Sequence, residues 1–123
     1  MENPKRPVNS HKAYHAHVYF DEQSTQQARF LCDQSAERFQ LKVGRFHERL
    51  VGPHTRWSCQ ISFGKKDFDR YIEWLEENRQ GLTIFIHPLS GDHLLDHTEF
   101  AYWLGDAVDL DLAVFDDMQD AAD

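Results

Sequence analysis

A chain of 123 residues, 41% of them hydrophobic, is long enough to bury roughly two-thirds of its unfolded surface as one domain, so it needs no disulfide or metal staple to fold. Its net charge of −8 is uneven: residues 1–79 hold all 13 Lys and Arg against 11 acids, and residues 80–123 hold ten acids and no base. That balance argues against nucleic acid and an anionic membrane surface, which both reward clustered cations, and points to a small-molecule partner.

Residues 1–12 are polar, include Pro4 and Pro7 and show no periodicity, which reads as a loose leader before a domain over 13–115. A strand follows at 13–20. Ser24-Thr25-Gln26-Gln27 has the capping-box form, and Ala28, Leu31, Cys32, Ser35 and Phe39 recur at helical spacing, predicting an amphipathic helix to about 39. A second strand is expected at 41–47, a break at Leu50-Val51-Gly52-Pro53-His54, and an alternating third strand at 57–63. Asp67 is placed to cap a second helix with the apolar stripe Phe68, Tyr71, Ile72 and Leu75, Gly81 suits its exit, and 82–87 forms a fourth strand. Trp103-Leu104-Gly105 reads as packing plus a turn, and Val108, Leu110 and Leu112 alternate with Asp109 and Asp111 as a short strand. The stretch 116–123 reads as a solvated acidic tail. Cys32 and Cys59 have no ligand spacing and fall on apolar faces, as in reduced core thiols of a cytoplasmic protein, and no secretory or membrane segment is evident.

The order βαββαβ is that of an α+β, ferredoxin-like sheet with both helices on one face. Val18, Phe20, Cys59, Ile61, Ile84 and Ile86 supply the helix side. The reverse collects His15, His17, Tyr19, Ser58, Gln60, Ser62, Thr83, Phe85 and His87, too polar for a core and too rich in imidazoles for a plain solvated surface. Sheets of this class commonly cover that face with a second sheet, so a homodimer forming an α+β barrel around a pocket is expected.

With the fourth strand antiparallel beside the first, His87 approaches His15 and His17, and three neutral imidazoles facing a pocket suit zinc, iron, copper or nickel. His54 lies away from this trio in a simple register unless its loop folds back or reaches a partner, and His97 follows a loop that can swing over the site. His11, His47 and His93 read as peripheral, solvated side chains. No Gly-rich loop precedes a helix in the manner of a nucleotide site.

His17-Val18-Tyr19-Phe20-Asp21, Gly52-Pro53-His54, His87-Pro88-Leu89-Ser90-Gly91-Asp92, Asp96-His97-Thr98 and Trp103-Leu104-Gly105, taken in order, resemble the DOPA 4,5-dioxygenase family over about residues 13–112. The resemblance implies extradiol ring opening of a catecholic substrate with O₂, and its motif histidines match His17, His54, His87 and His97. Sheet geometry favours His15 as the third ligand and the family motif favours His54; both retain His17 and His87. Fe(II) is the implied metal, with zinc or nickel able to occupy such a site on purification, and Asp92, Asp96 or Glu48 are candidates for an added carboxylate. His54 and His97 are candidates to take the catechol proton and return it during ring opening, and Gln60 to hydrogen-bond the substrate. Two other readings compete: a module of the same shape that binds a small aromatic or a metal without turnover, and a cofactor-independent enzyme whose histidines only move protons.

Overall fold

The computed structural model describes residues 7–115; the acidic stretch 116–123 and the first six residues lie outside the described residues. Strands β1 (Ala13–Phe20), β2 (Lys42–His47), β3 (Trp57–Gly64), β4 (Ile84–Pro88) and β5 (Tyr102–Leu104) form one antiparallel sheet in the order β2-β3-β1-β4-β5. Helices α1 (Thr25–Phe39) and α2 (Lys65–Asn78) occupy the crossovers, and α3 (His93–Asp96) is a single turn after β4. The first four strands thus have the ferredoxin-like arrangement, extended by β5 at the edge of β4.

Alternation in β1 divides the molecule. Tyr14, Ala16, Val18 and Phe20 pack with Ala28, Leu31 and Cys32 of α1 and Phe68, Tyr71 and Leu75 of α2, together with Ile61, Ile84 and Ile86. Each such aliphatic side chain, fully buried, contributes about 1.5–3 kcal/mol. The polar atoms in this layer are paired: Ser35 Oγ donates to the Leu31 carbonyl and accepts from the Tyr71 hydroxyl, both at 2.7 Å. Cys32 and Cys59 are free thiols in the same layer. Among the described residues, no helix is long and apolar enough to cross a membrane.

Four local expectations are corrected. Ser24 is the N-cap residue of α1 but makes no side-chain cap; its hydroxyl instead donates to Asp21 Oδ1 and accepts from the Asp21 amide, each at 2.9 Å. Helix α2 starts at Lys65, directly off β3, with extended Gly64 as its N-cap, so Asp67 sits in the first turn beside Arg70 rather than at the cap. Residues 102–104 form β5, with Ile84 opposite Leu104 and Ile86 opposite Tyr102, so this segment is more than packing and a turn. No strand forms at 108–112: the outer edge of β4 pairs only once and β5 occupies it, so Val108 and Leu110 pack onto Tyr19, Phe85, Ala101 and Trp103 instead. The face opposite the helices is therefore covered over β1, β4 and β5 by this chain's own C-terminal segment. Residues 7–12 are tied down at several points, including Asn9 Nδ2 to the Lys65 carbonyl at 3.1 Å and the Lys65 amide to the Lys12 carbonyl at 2.9 Å.

Gly105 turns the chain out of β5 with φ +86°, and a Cβ there would lie 2.9 Å from Arg79 Nη1 and 3.4 Å from the Leu82 carbonyl oxygen. That Arg79 nitrogen donates to the same carbonyl at 3.1 Å, so the substituent would push on a bond that closes the α2–β4 turn. Gly105→Ala is expected to lower unfolding free energy by about 1–2 kcal/mol, read by urea denaturation; an unchanged midpoint would refute this account of the turn.

Candidate metal centre

The odd residues of β1 project onto the face away from the helices. The β1–β4 ladder sets His15 directly opposite His87 and His17 opposite Phe85, while the β1–β3 ladder sets Ser62 opposite His15 and Gln60 opposite His17. Diagonal neighbours in a sheet are within reach of long side chains, and the imidazoles of His17 and His87 lean together until their Nε2 atoms are 3.0 Å apart. His15 completes the group, with one ligand nitrogen from each of the three lying within 4.8 Å of the others. Among the described residues this is the group of His, Cys, Asp and Glu whose atoms converge in this way. Two imidazole nitrogens bound side by side at about 2.1 Å from one ion are themselves about 3 Å apart, so the His17–His87 spacing fits a shared metal.

The loop carrying His54 folds back over this face. Gly52 turns it with φ +59°, the His54 amide bonds the Val51 carbonyl, and the C-terminal segment clasps it through the Asp111 amide to the Pro53 carbonyl at 2.8 Å and Thr55 Oγ1 to the Asp109 carbonyl. The His54 ring lies 4.1 Å from that of His17, and its Nδ1 is 2.7 Å from the Tyr19 hydroxyl. On the other flank His97 sits 4.2 Å from His87, centroid to centroid, at the end of α3. Asp92 caps that turn by accepting from the Leu95 amide, and buried Asp96 accepts from the Ser90 hydroxyl at 2.6 Å and amide at 3.1 Å. The rings thus follow one another as His54, His17, His87 and His97, with neighbouring centroids at 4.1, 5.1 and 4.2 Å.

All five predicted histidines therefore come together, and His54 does so because tertiary contacts between loops overrule the simple register. Gln60 lies on the same face, half-buried, with its side chain forming no bond among the described residues. The candidate carboxylates stay apart from the three-histidine group: Asp92 and Asp96 are committed to the loop, and Glu48 is exposed. His93 is exposed, whereas His11 and His47 are half-buried rather than solvated, His11 lying 5.2 Å from Phe100. Tyr19 is the participant that pattern alone left without a role; its position on the histidine face was visible, its bond to His54 was not.

Burial keeps these imidazoles neutral. It holds His17 well below the usual histidine range, lowers His87 to about 3 and His54 to about 4, and also lowers His15 and His97, with the neighbouring histidines adding repulsion in each case. Neutral rings retain a lone pair, the form in which histidine binds a metal. His87 Nδ1 donates to the Pro88 carbonyl at 2.9 Å, which directs the bare Nε2 at the centre. His15 and Gln60 are half-exposed, and the β4 side is closed by Phe85 and Trp103, stacked at 4.7 Å.

The sequence profile of the Dopa 4,5-dioxygenase family matches residues 14–114. An uncharacterised 21.2 kDa protein of Botryotinia fuckeliana is 32% identical over 114 residues, covering 83% of this chain and 62% of the relative. A DOPA 4,5-dioxygenase of Amanita muscaria is 30% identical over 111 residues, covering 83% of this chain and 49% of the relative. The chain thus spans about half to three-fifths of the length of these curated relatives. A crystal structure from Nostoc punctiforme, provisionally described as a dioxygenase, superposes with a TM-score of 0.84 at 36% identity, covering 87% of this chain and 93% of that one.

Proposed function

The chain belongs to the Dopa 4,5-dioxygenase family, and from that premise we propose that it is a metal-dependent extradiol dioxygenase, opening a catecholic ring such as that of DOPA with both atoms of O₂. The convergence of His15, His17 and His87 carries the proposal, because three neutral nitrogen donors suit a divalent metal. Fe(II) is the proposed metal, and zinc or nickel can take the same donors on purification. When bound, the metal would supply what the side chains lack, bringing a catecholate and dioxygen together and passing electrons between them.

The remaining side chains act on the substrate. In this reading His54 and His97, whose rings flank the metal group, handle the catechol proton, Gln60 hydrogen-bonds a substrate oxygen, and Phe85 and Trp103 keep water from the β4 side. The reading includes a domain over 13–115, a cytoplasmic setting and a homodimer, whose second copy would cover the half-exposed stretch over His15, Gln60 and Ser62.

The test is anaerobic loading with Fe(II), addition of a catechol panel including DOPA and protocatechuate, and admission of air. Iron-dependent oxygen uptake with a new yellow semialdehyde chromophore is expected. No uptake despite stoichiometric metal and bound catechol would overturn the proposal in favour of a binding module.

A further inference from the structure

The hydrogen bonds behind the two flanking histidines differ in kind. At His97, Nδ1 lies 2.7 Å from the His93 carbonyl oxygen. A carbonyl only accepts, so neutral His97 carries its proton on Nδ1 and presents a bare Nε2. At His54, Nδ1 lies 2.7 Å from the Tyr19 hydroxyl, a group able to donate or accept. Which way that bond runs decides what His54 offers on its other nitrogen.

Tyr19 is only 3% exposed, and among the described residues its hydroxyl has one partner, His54 Nδ1. Its ring packs against the stacked pair Phe85 and Trp103, centroids at 6.5 and 6.3 Å, and the charged group that acts on it, Arg56, can only donate. If His54 donated, the phenolic proton would have no acceptor among the described residues; if Tyr19 donates, both groups are satisfied. Burial thus selects the second arrangement, and a neutral imidazole that accepts at Nδ1 carries its proton at Nε2.

We propose that Tyr19 is a positioning residue that fixes His54 in the Nε2–H tautomer, making His54 a hydrogen-bond donor to a bound oxygen while His97, fixed oppositely by the His93 carbonyl, is an acceptor. The proposal deepens the dioxygenase reading and rests on it for its substrate. One flank of the metal group then suits an anionic oxygen and the other a hydroxyl, the pairing that a singly ionised vicinal diol presents.

The experiment has two arms on the full chain. In the first, the protein with ¹⁵N-labelled histidine is studied by long-range proton–nitrogen correlation, comparing wild type with Tyr19→Phe, which keeps the ring and removes the hydroxyl. His54 is expected as the Nε2–H tautomer in wild type, with that preference lost in Y19F. An Nδ1–H tautomer in wild type, or a tautomer unchanged in Y19F, would overturn the proposal.

In the second arm, Fe(II)-loaded Y19F is expected to lose roughly tenfold in kcat, with KM for the catechol and metal stoichiometry near wild type. His54→Gln supplies an N–H that needs no tautomer, so it should retain more activity than His54→Ala, and adding Y19F to H54Q should cost little more. A tenfold further loss in Y19F/H54Q would show that Tyr19 acts by another route and overturn the assignment. If wild type turns over no catechol, the dioxygenase reading fails, and the tautomer arm still decides the role of Tyr19.

Discussion

Replacing either His17 or His87 by alanine is expected to abolish stoichiometric metal binding and, with it, oxygen uptake on catechols. Both residues are nearly fully buried, at 4% and 3% exposure, and their Nε2 atoms lie 3.0 Å apart within the three-histidine group. Loss of an outer partner of a ligand typically costs about 10–100-fold in affinity or activity, and loss of a ligand itself should exceed that. The sheet should survive, because the helix-side core is on the other face of β1 and β4. The check is metal content and oxygen uptake beside circular dichroism. Full metal content and full turnover in both variants would sink the metal-centre assignment, and so would parity between His15→Ala and wild type for the third position.

Acid should unfold the metal-free protein well before its carboxylates titrate. In the folded state burial lowers His87 to about 3 and His54 to about 4, and holds His17 well below the usual range, with other histidines of the cluster adding repulsion. In the unfolded chain each returns to about 6.5. Between those limits the unfolded state binds more protons, so unfolding free energy rises with pH from about 4 to 6.5 and is level above it. The slope contributed by each buried histidine is roughly 1 kcal/mol per pH unit. Urea denaturation of the apo protein at pH 7.5, 6 and 5 measures this directly: stability should be lowest at pH 5, and a flat or inverted profile would remove the buried neutral cluster from the description. Bound metal should steepen the dependence, since its ligands must be free of protons.

The histidine trio was legible because it rests on two regularities of local sequence. Strict alternation in 13–20 puts His15 and His17 on one face of β1, and the βαββαβ order obliges β4 to lie antiparallel beside it, which places His87 opposite His15. The capping signals failed for a local reason that composition does not expose: the Ser24 hydroxyl has a competing partner in Asp21, and α2 begins at Lys65, two residues before Asp67. At 108–112 alternation was the wrong guide, since a strand needs a free edge as well as a pattern, and β5 already holds that edge.

What the amino-acid order determined by itself was the first four strands of the sheet, its two faces and the pair His17 and His87, because periodicity and chain connectivity act over a few residues and leave little freedom. The tertiary structure decided the rest of the centre. Only the clasp between 109–111 and 53–55 brings His54 over His17, and only the Asp96–Ser90 bonds and the α3 turn set His97 against His87. The path of the His54 loop depends on contacts between segments more than fifty residues apart, and the direction of the Tyr19–His54 bond depends on the burial those contacts create.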